Sequence, residues 1–244
     1  MTTIDANQYA ANTLNSVLRG CSDTEIRLTN VLGQRYLGSG MKTGTSVRID
    51  GVPGNAAGSF LDGGTLDIYG NVQDAVGDTM NDGRIIIHGS AGDTIGYSMR
   101  GGKIFVRGNA GYRAGIHMKA YQEKYPVLVI GGSVGSFLGE YLAGGVIIVL
   151  GLGMEKEKRA PVGYFTGTGM HGGKIYLRSE FLPRDLPAQV SAAKATAADL
   201  AYIREDLVEY CQAFGRDLET ILDGSFYVLT PNSDNPYRQL YCAK

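Results

Sequence analysis

Gly58, Gly77, Gly96 and Gly115 stand nineteen residues apart, and Gly64, Gly83 and Gly102 follow at the same interval. A fixed period of this length means stacked copies of one small structural unit, and the stacking constrains the fold before any local motif does. The unit reads Gly-x-x-(Met/Leu)-x-x-Gly-x-(Ile/Leu)-x-(Ile/Val) and is clearest in GYSMRGGKIFVRG, from Gly96 to Gly108. The phase returns at Gly38, Gly139 and Gly167, so seven units run from about Asn30 to Arg178. The unit opened by Gly115 keeps its first half through Met118 and then diverges. Extra residues enter near Lys119–Pro126 and Leu152–Val162, polar and charged stretches that suit loops budding from otherwise uniform coils.

Apolar residues inside each unit lie two apart: Leu66/Ile68, Ile85/Ile87, Ile104/Val106, Ile147/Val149 and Ile175/Leu177. This is the period of a strand with one buried face, and helical spacing is missing. In the first unit Val47 and Ile49 come one residue later, which predicts an irregular first coil. The unit is too short for a helix-turn-helix repeat and lacks the leucine-rich pattern. A coil of two or three short strands joined by glycine turns fits, and stacking such coils gives an all-β, parallel β-helix. The 36 glycines of the 244 residues are phased rather than scattered, which argues for order, since chain reversal at coil corners needs residues tolerant of positive φ. Met41, Met80, Met99, Met118 and Met170 share one repeat position, so five of the seven methionines are predicted to form one internal ladder of adaptable apolar side chains.

The ends break the period. Asp5 precedes a stretch whose Tyr9, Leu14, Val17 and Leu18 suit a short helix ending at Gly20, and residues 1–29 are predicted to cap the open end of the stack. The β-helix occupies 30–180. Residues 181–244 form a C-terminal addition in which Thr196 and Asp199 open an amphipathic helix to about Phe214, ended by Gly215. A short helix, one strand and a tyrosine-bearing tail are expected after it.

The formal net charge of −1, without a polybasic run, makes nucleic acid and anionic membrane poor partners. No apolar stretch approaches about 18 residues and no leader opens the chain, so a soluble cytoplasmic protein is expected. Cys21, Cys211 and Cys242, odd in number and far apart, read as reduced thiols rather than a disulfide or metal framework. A P-loop is absent, and GTGMHGGK from Gly167 obeys the repeat phase and leads into a strand, so it is not read as a nucleotide loop. His88, His117 and His171 have no carboxylate or cysteine at metal-ligand spacing from any two of them. Asp74 and Asp93 fall on coil corners as turn residues, and no column of acids of the kind used by polysaccharide-cleaving β-helices is visible.

The repeat units, together with GQRYLGSGM, GDTIGYSMRGGKIFVRGNAG, AGIHMKAY, GGSVGSFLGEYLAGGVIIVLG and VGYFTGTGMHGG, closely resemble the GXGXG domain of glutamate synthase over about Val31 to Arg178. FLPRDLP and the helix after it resemble the tail of stand-alone versions of that domain, found where the enzyme is split into amidotransferase, FMN/iron-sulfur and GXGXG polypeptides. The resemblance implies a right-handed β-helix and a structural, non-catalytic subunit of a complex that aminates 2-oxoglutarate with ammonia from glutamine. It implies no cofactor on this chain, with FMN and an iron-sulfur cluster in the partner subunits. Met1 is followed by Thr2, not by a nucleophilic cysteine, and three cysteines cannot supply the cluster ligands. The GXGXG subunits of formylmethanofuran dehydrogenase and of enzymes like N-methylglutamate synthase are similar and stand as alternatives. A carbohydrate-active β-helix, with Tyr97, Tyr112, Tyr141 and Tyr164 stacking on sugars, is a further reading from a different class. No catalytic, cofactor or metal residue is assigned. The phase glycines Gly38, Gly58, Gly77, Gly96, Gly115, Gly139 and Gly167 are structural, and the partner surface is expected on the inserted loops and tail, at Lys119, Tyr121, Lys156, Arg159 and Tyr237. A homo-oligomer is also expected to be possible.

Overall fold

The computed structural model describes residues 1–232; Tyr237 and Cys242 lie outside the described residues. Its chain winds into a parallel β-solenoid of about seven turns. β1 (Thr2–Asp5), β2 (Glu25–Leu32), β3 (Ser46–Val52), β4 (Asp62–Tyr69), β5 (Asp82–Ile87), β6 (Lys103–Val106), β7 (Val127–Ile130), β8 (Ala143–Val149) and β9 (Gly172–Arg178) pair in sequence order, each parallel to the next. The paired apolar residues stack in register down the inside, Leu66 on Ile85, Ile85 on Ile104, and Ile147 on Ile175. All are fully buried, at 0% exposure. Each such Leu or Ile contributes about 1.5–3 kcal/mol by leaving water, so the column dominates the folding energy.

Two departures from the period resolve in this register. Val47 pairs with Leu66 and Ile49 with Ile68, so the one-residue slip of the first unit is taken up in the turn before β3. The unit opened by Gly115 is completed by β7, where Leu128 and Ile130 pair with Ile104 and Val106. The insertion at 119–126 had only displaced this pair along the sequence.

The coil differs from the two or three strands expected. Among the described residues each coil has one regular strand, and its second side shrinks to isolated bridges such as Val72–Ala91, Ala110–Val134 and Val134–Val162. The corner that follows explains why. At the phase glycine the backbone is left-handed, and so are the residues two before and two after it. Tyr36, Ala56, Ala75, Thr94, Arg113, Phe137 and Phe165 hold the earlier position with φ from 56° to 64°. Phe60, Thr79, Ser98, His117 and Tyr141 hold the later one, with glycine in the first and last coils. Left-handed alternation excludes extended strand, and each non-glycine there costs on the order of 1 kcal/mol or more. Inter-coil hydrogen bonds offset the cost: the Ala75 N–H donates to the Asp93 carbonyl and the Gly77 N–H to the Ala57 carbonyl.

The methionine ladder is internal. Met80, Met99, Met118 and Met170 are fully buried, Leu61 and Leu142 fill the intervening rungs, and Met41 is half-buried in the first coil. Residues 1–29 supply the expected helix, α1 (Ala11–Gly20), with Leu14 buried against the first coils. They also contribute β1 and the first part of β2 to the sheet, so the stack reaches upstream of Asn30. A helix begins not at Asp5 but at Ala11, because the Asp5 carboxylate accepts from the Asn7 N–H and caps a single 3-10 turn instead.

At the far end the chain forms β10 (Val190–Lys194), α2 (Ala197–Phe214), α3 (Leu218–Leu222) and β11 (Phe226–Pro231). β11 adds antiparallel to β9 and β10 antiparallel to β11, closing the parallel stack. α2 starts with a capping box between Thr196 and Asp199 and ends at left-handed Gly215, as the sequence predicts. It lies on the outer face of the later coils, where Ile203, Leu207 and Tyr210 share a second buried cluster with Phe105, Val129, Ile148 and Tyr176. β6 to β8 therefore read as near-continuous apolar runs: they are covered on both faces.

Candidate functional site

Three surfaces have the shape or chemistry of a site. The first is an open groove of about 660 Å³ at the beginnings of β4 to β6, lined by Thr43, Thr65, Arg84, Lys103, Lys124 and Tyr125. Its cations are all engaged. Arg84 meets Glu209 at 2.6 Å, Lys103 meets Asp206 at 2.7 Å and Glu209 at 2.6 Å, and Lys124 meets Asp62 at 3.2 Å. Burial opposes the charge on Lys103, but its two carboxylate partners outweigh that and raise its pKa above the ordinary lysine value; burial also pushes the Asp206 carboxyl up. The Arg84 and Lys103 pairs fasten α2 to the solenoid, and Lys124 ties the inserted loop to β4.

The inserted loop beside this groove carries Lys119 and Tyr121, and its far end is pinned. The Tyr202 hydroxyl on α2 donates to the Tyr125 hydroxyl at 2.5 Å, and burial drives the Tyr125 pKa well above the tyrosine range. Tyr121 is half exposed and its backbone bridges to Lys124. The second insertion carries exposed Lys156 and Arg159, Arg159 pairing with Glu157 at 2.6 Å. The loop lines the groove through Glu123, Lys124 and Tyr125, and not through Lys119 or Tyr121, whereas Arg159 lines a small cavity with Tyr164.

The corner itself is the third surface, away from the inserted loops where the sequence predicts the partner surface. Stacking places the residues around each phase glycine in ladders. Phe137 and Phe165 stack at 5.0 Å, the Arg113 guanidinium sits 4.6 Å from the Phe137 ring, and His117 stacks on Tyr141 at 5.0 Å with Tyr97 at its edge. Tyr112, Tyr164 and Phe165 are 53%, 57% and 49% exposed. A signal was present: aromatic residues recur within two or three positions of the phase glycines in the later units and not in the third.

The remaining candidates have structural employment. Asp74 Oδ1 accepts from the Asp93 N–H and Asp93 Oδ1 from the Tyr112 N–H, each carboxylate tying its coil to the next. A β-carbon at Gly92 or Gly111 would lie within 2.3 or 2.1 Å of these same oxygens, so the ladder requires glycine beside it. His88 Nε2 lies 2.8 Å from Asp67 Oδ1 with its ring stacked on Tyr69 at 4.1 Å, and His171 Nδ1 is 3.1 Å from the Gly169 carbonyl. Among the described residues no three His, Cys, Asp or Glu side chains gather to hold a metal ion. Cys21 and Cys211 are unbridged, and burial raises the Cys211 thiol pKa. Of the corner aromatics, Phe137 stacks with Phe165 and Tyr141 with His117, whereas Tyr112 and Tyr164 are more than half exposed. Among the described residues no helix is long and apolar enough to cross a membrane.

Fold and surface define the class: a parallel β-solenoid, buttressed by an outer helix, whose polar corner groups are spent on joining coils. A family model for the GXGXG motif matches residues 5–230, and the chain belongs to the GXGXG-motif family. It is 44% identical over 248 residues, covering 98% of this chain and 95% of the other, to an uncharacterized protein of Methanocaldococcus jannaschii.

Proposed function

We propose that this chain is a non-catalytic structural subunit of a glutamate synthase-type complex, in which separate polypeptides hydrolyse glutamine and use the ammonia at an FMN site to aminate and reduce 2-oxoglutarate. Membership of the GXGXG family supports the link to that enzyme. The observation that carries the structural role is the inter-coil use of the corner carboxylates: Asp74 and Asp93 each accept a backbone N–H of the next coil and so hold one coil to another. Such a stack has few internal hinges, and a rigid spacer keeps two active sites at the constant separation that delivery of ammonia demands. FMN and the iron-sulfur cluster belong to the partners in this reading, and the complex works in the cytoplasm.

Co-expression with the amidotransferase and flavin-carrying polypeptides of the same organism tests the proposal. All three should elute as one assembly, and the purified chain alone should carry no flavin and show no glutaminase activity. Elution of the chain apart from both polypeptides would sink it.

A further inference from the structure

We propose that the end of the corner ridge formed by Phe137, Tyr164, Phe165 and Leu182 is the surface on which another polypeptide of the complex docks, and that this partner presents an apolar anchor side chain ringed by carboxylates. The inference rests on the structural role above and moves the contact away from the uniform coils. Tyr164 and Phe165 lie 6.3 Å apart, Phe165 stacks on Phe137, and Leu182 is 41% exposed, so the apolar groups are contiguous and solvent-facing. Aromatic groups with arginine at their margin are what interfaces concentrate.

The patch has a recess and a charged rim. A cavity of about 140 Å³ opens among Tyr164, Leu182, Pro183, Arg159, Arg184 and Asp185, room for one inserted side chain. Asp185 accepts the Phe165 N–H on one carboxylate oxygen at 2.9 Å, which ties the wall of the recess to the aromatic ridge. Arg159 and Arg184 are exposed at the recess, and Arg113 is 46% exposed beside Phe137. Arg159 is paired with exposed Glu157 at 2.6 Å, whereas the acid opposite Arg113, Glu140, is only 14% exposed, so Arg184 and the outward side of Arg113 give the rim its cationic face. Charge complementarity then selects a partner with carboxylates around its anchor and excludes a second copy of this face, which would bring arginines together.

The test uses the full chain and the co-expressed amidotransferase and flavin-carrying polypeptides, with affinity measured for wild type, Tyr164→Glu/Leu182→Glu and Arg184→Glu. These positions are exposed and none is left-handed, so folding is checked simply by an unchanged melting curve. The double variant should bind at least about tenfold more weakly. Arg184→Glu should also bind more weakly and lose part of the salt dependence that wild type shows. Wild-type affinity in both variants overturns the docking site while leaving the structural role intact. Wild type that binds neither polypeptide overturns that role and the site with it. Light scattering of the chain alone should give a monomer; a dimer dissolved by Tyr164→Glu/Leu182→Glu would assign the ridge to self-association and contradict the proposal.

Discussion

Each phase glycine faces two demands, and they separate cleanly at Gly77 and Gly96. Both are left-handed, with φ of +70° and +69°. A β-carbon at Gly77 would come within 2.4 Å of Ile104 Cδ1 inside the solenoid, whereas at Gly96 the nearest atom is 3.7 Å away. Two residues to either side, the β-carbon of a left-handed residue is tolerated, so Tyr36, Arg113 or Phe165 can stand there. Gly77→Ala should therefore cost about 1–3 kcal/mol more than Gly96→Ala, the difference being overpacking of Ile104. Both β-carbons would face the interior, so equal midpoints in urea unfolding would refute overpacking of Ile104 as the source of the difference. The interior column makes a second demand: Met99, at 0% exposure between Met80 and Met118, has no polar partner to offer a charge. Met99→Asp should cost several kcal/mol and leave the protein insoluble or melting far earlier, and near-wild-type melting would put the ladder on the wrong face.

The elements were legible wherever burial has one face. The two-residue period gave the strands because their other side meets water or a regular neighbour, as at Leu66 and Ile68, and the caps of α2 are written in Thr196, Asp199 and Gly215. What α2 covers was not legible, since Phe105, Val129 and Tyr176 face outward and only the three-dimensional stack brings them under one helix. The corner ridge escaped for the same reason: Tyr164 and Phe137 are 27 residues apart, and only the longer step between Gly139 and Gly167 makes them neighbours. The electrostatic fastening of α2 gives a pH test. Lys103 has its pKa raised in the folded state, so its contribution is fully present below the ordinary value of 10.5 and is lost as pH rises through the higher folded value. Melting temperature should fall above pH 10.5, and Lys103→Arg, which stays charged, should move that fall to higher pH. A profile unchanged by the substitution would show that the Asp206 and Glu209 pairs do not hold the helix.

As a whole the molecule is a stack closed at both ends, by α1 at the start and by the antiparallel strands β10 and β11 at the finish. Its period was readable because every coil repeats one set of demands on glycine and methionine. The proposed role rests on family membership, because residues that join coils carry no pattern of their own that names a reaction. In the proposed function the chain contributes geometry and no chemistry to a glutamine-dependent synthase. The most direct measurement of this is glutamine-dependent glutamate formation by the purified amidotransferase and flavin-carrying polypeptides, assayed with and without this chain. The account predicts little glutamine-dependent activity from the two alone, restoration on adding the chain in stoichiometric amount, and none from the chain by itself. Full activity of the pair without it, or turnover by the chain alone, would contradict the account.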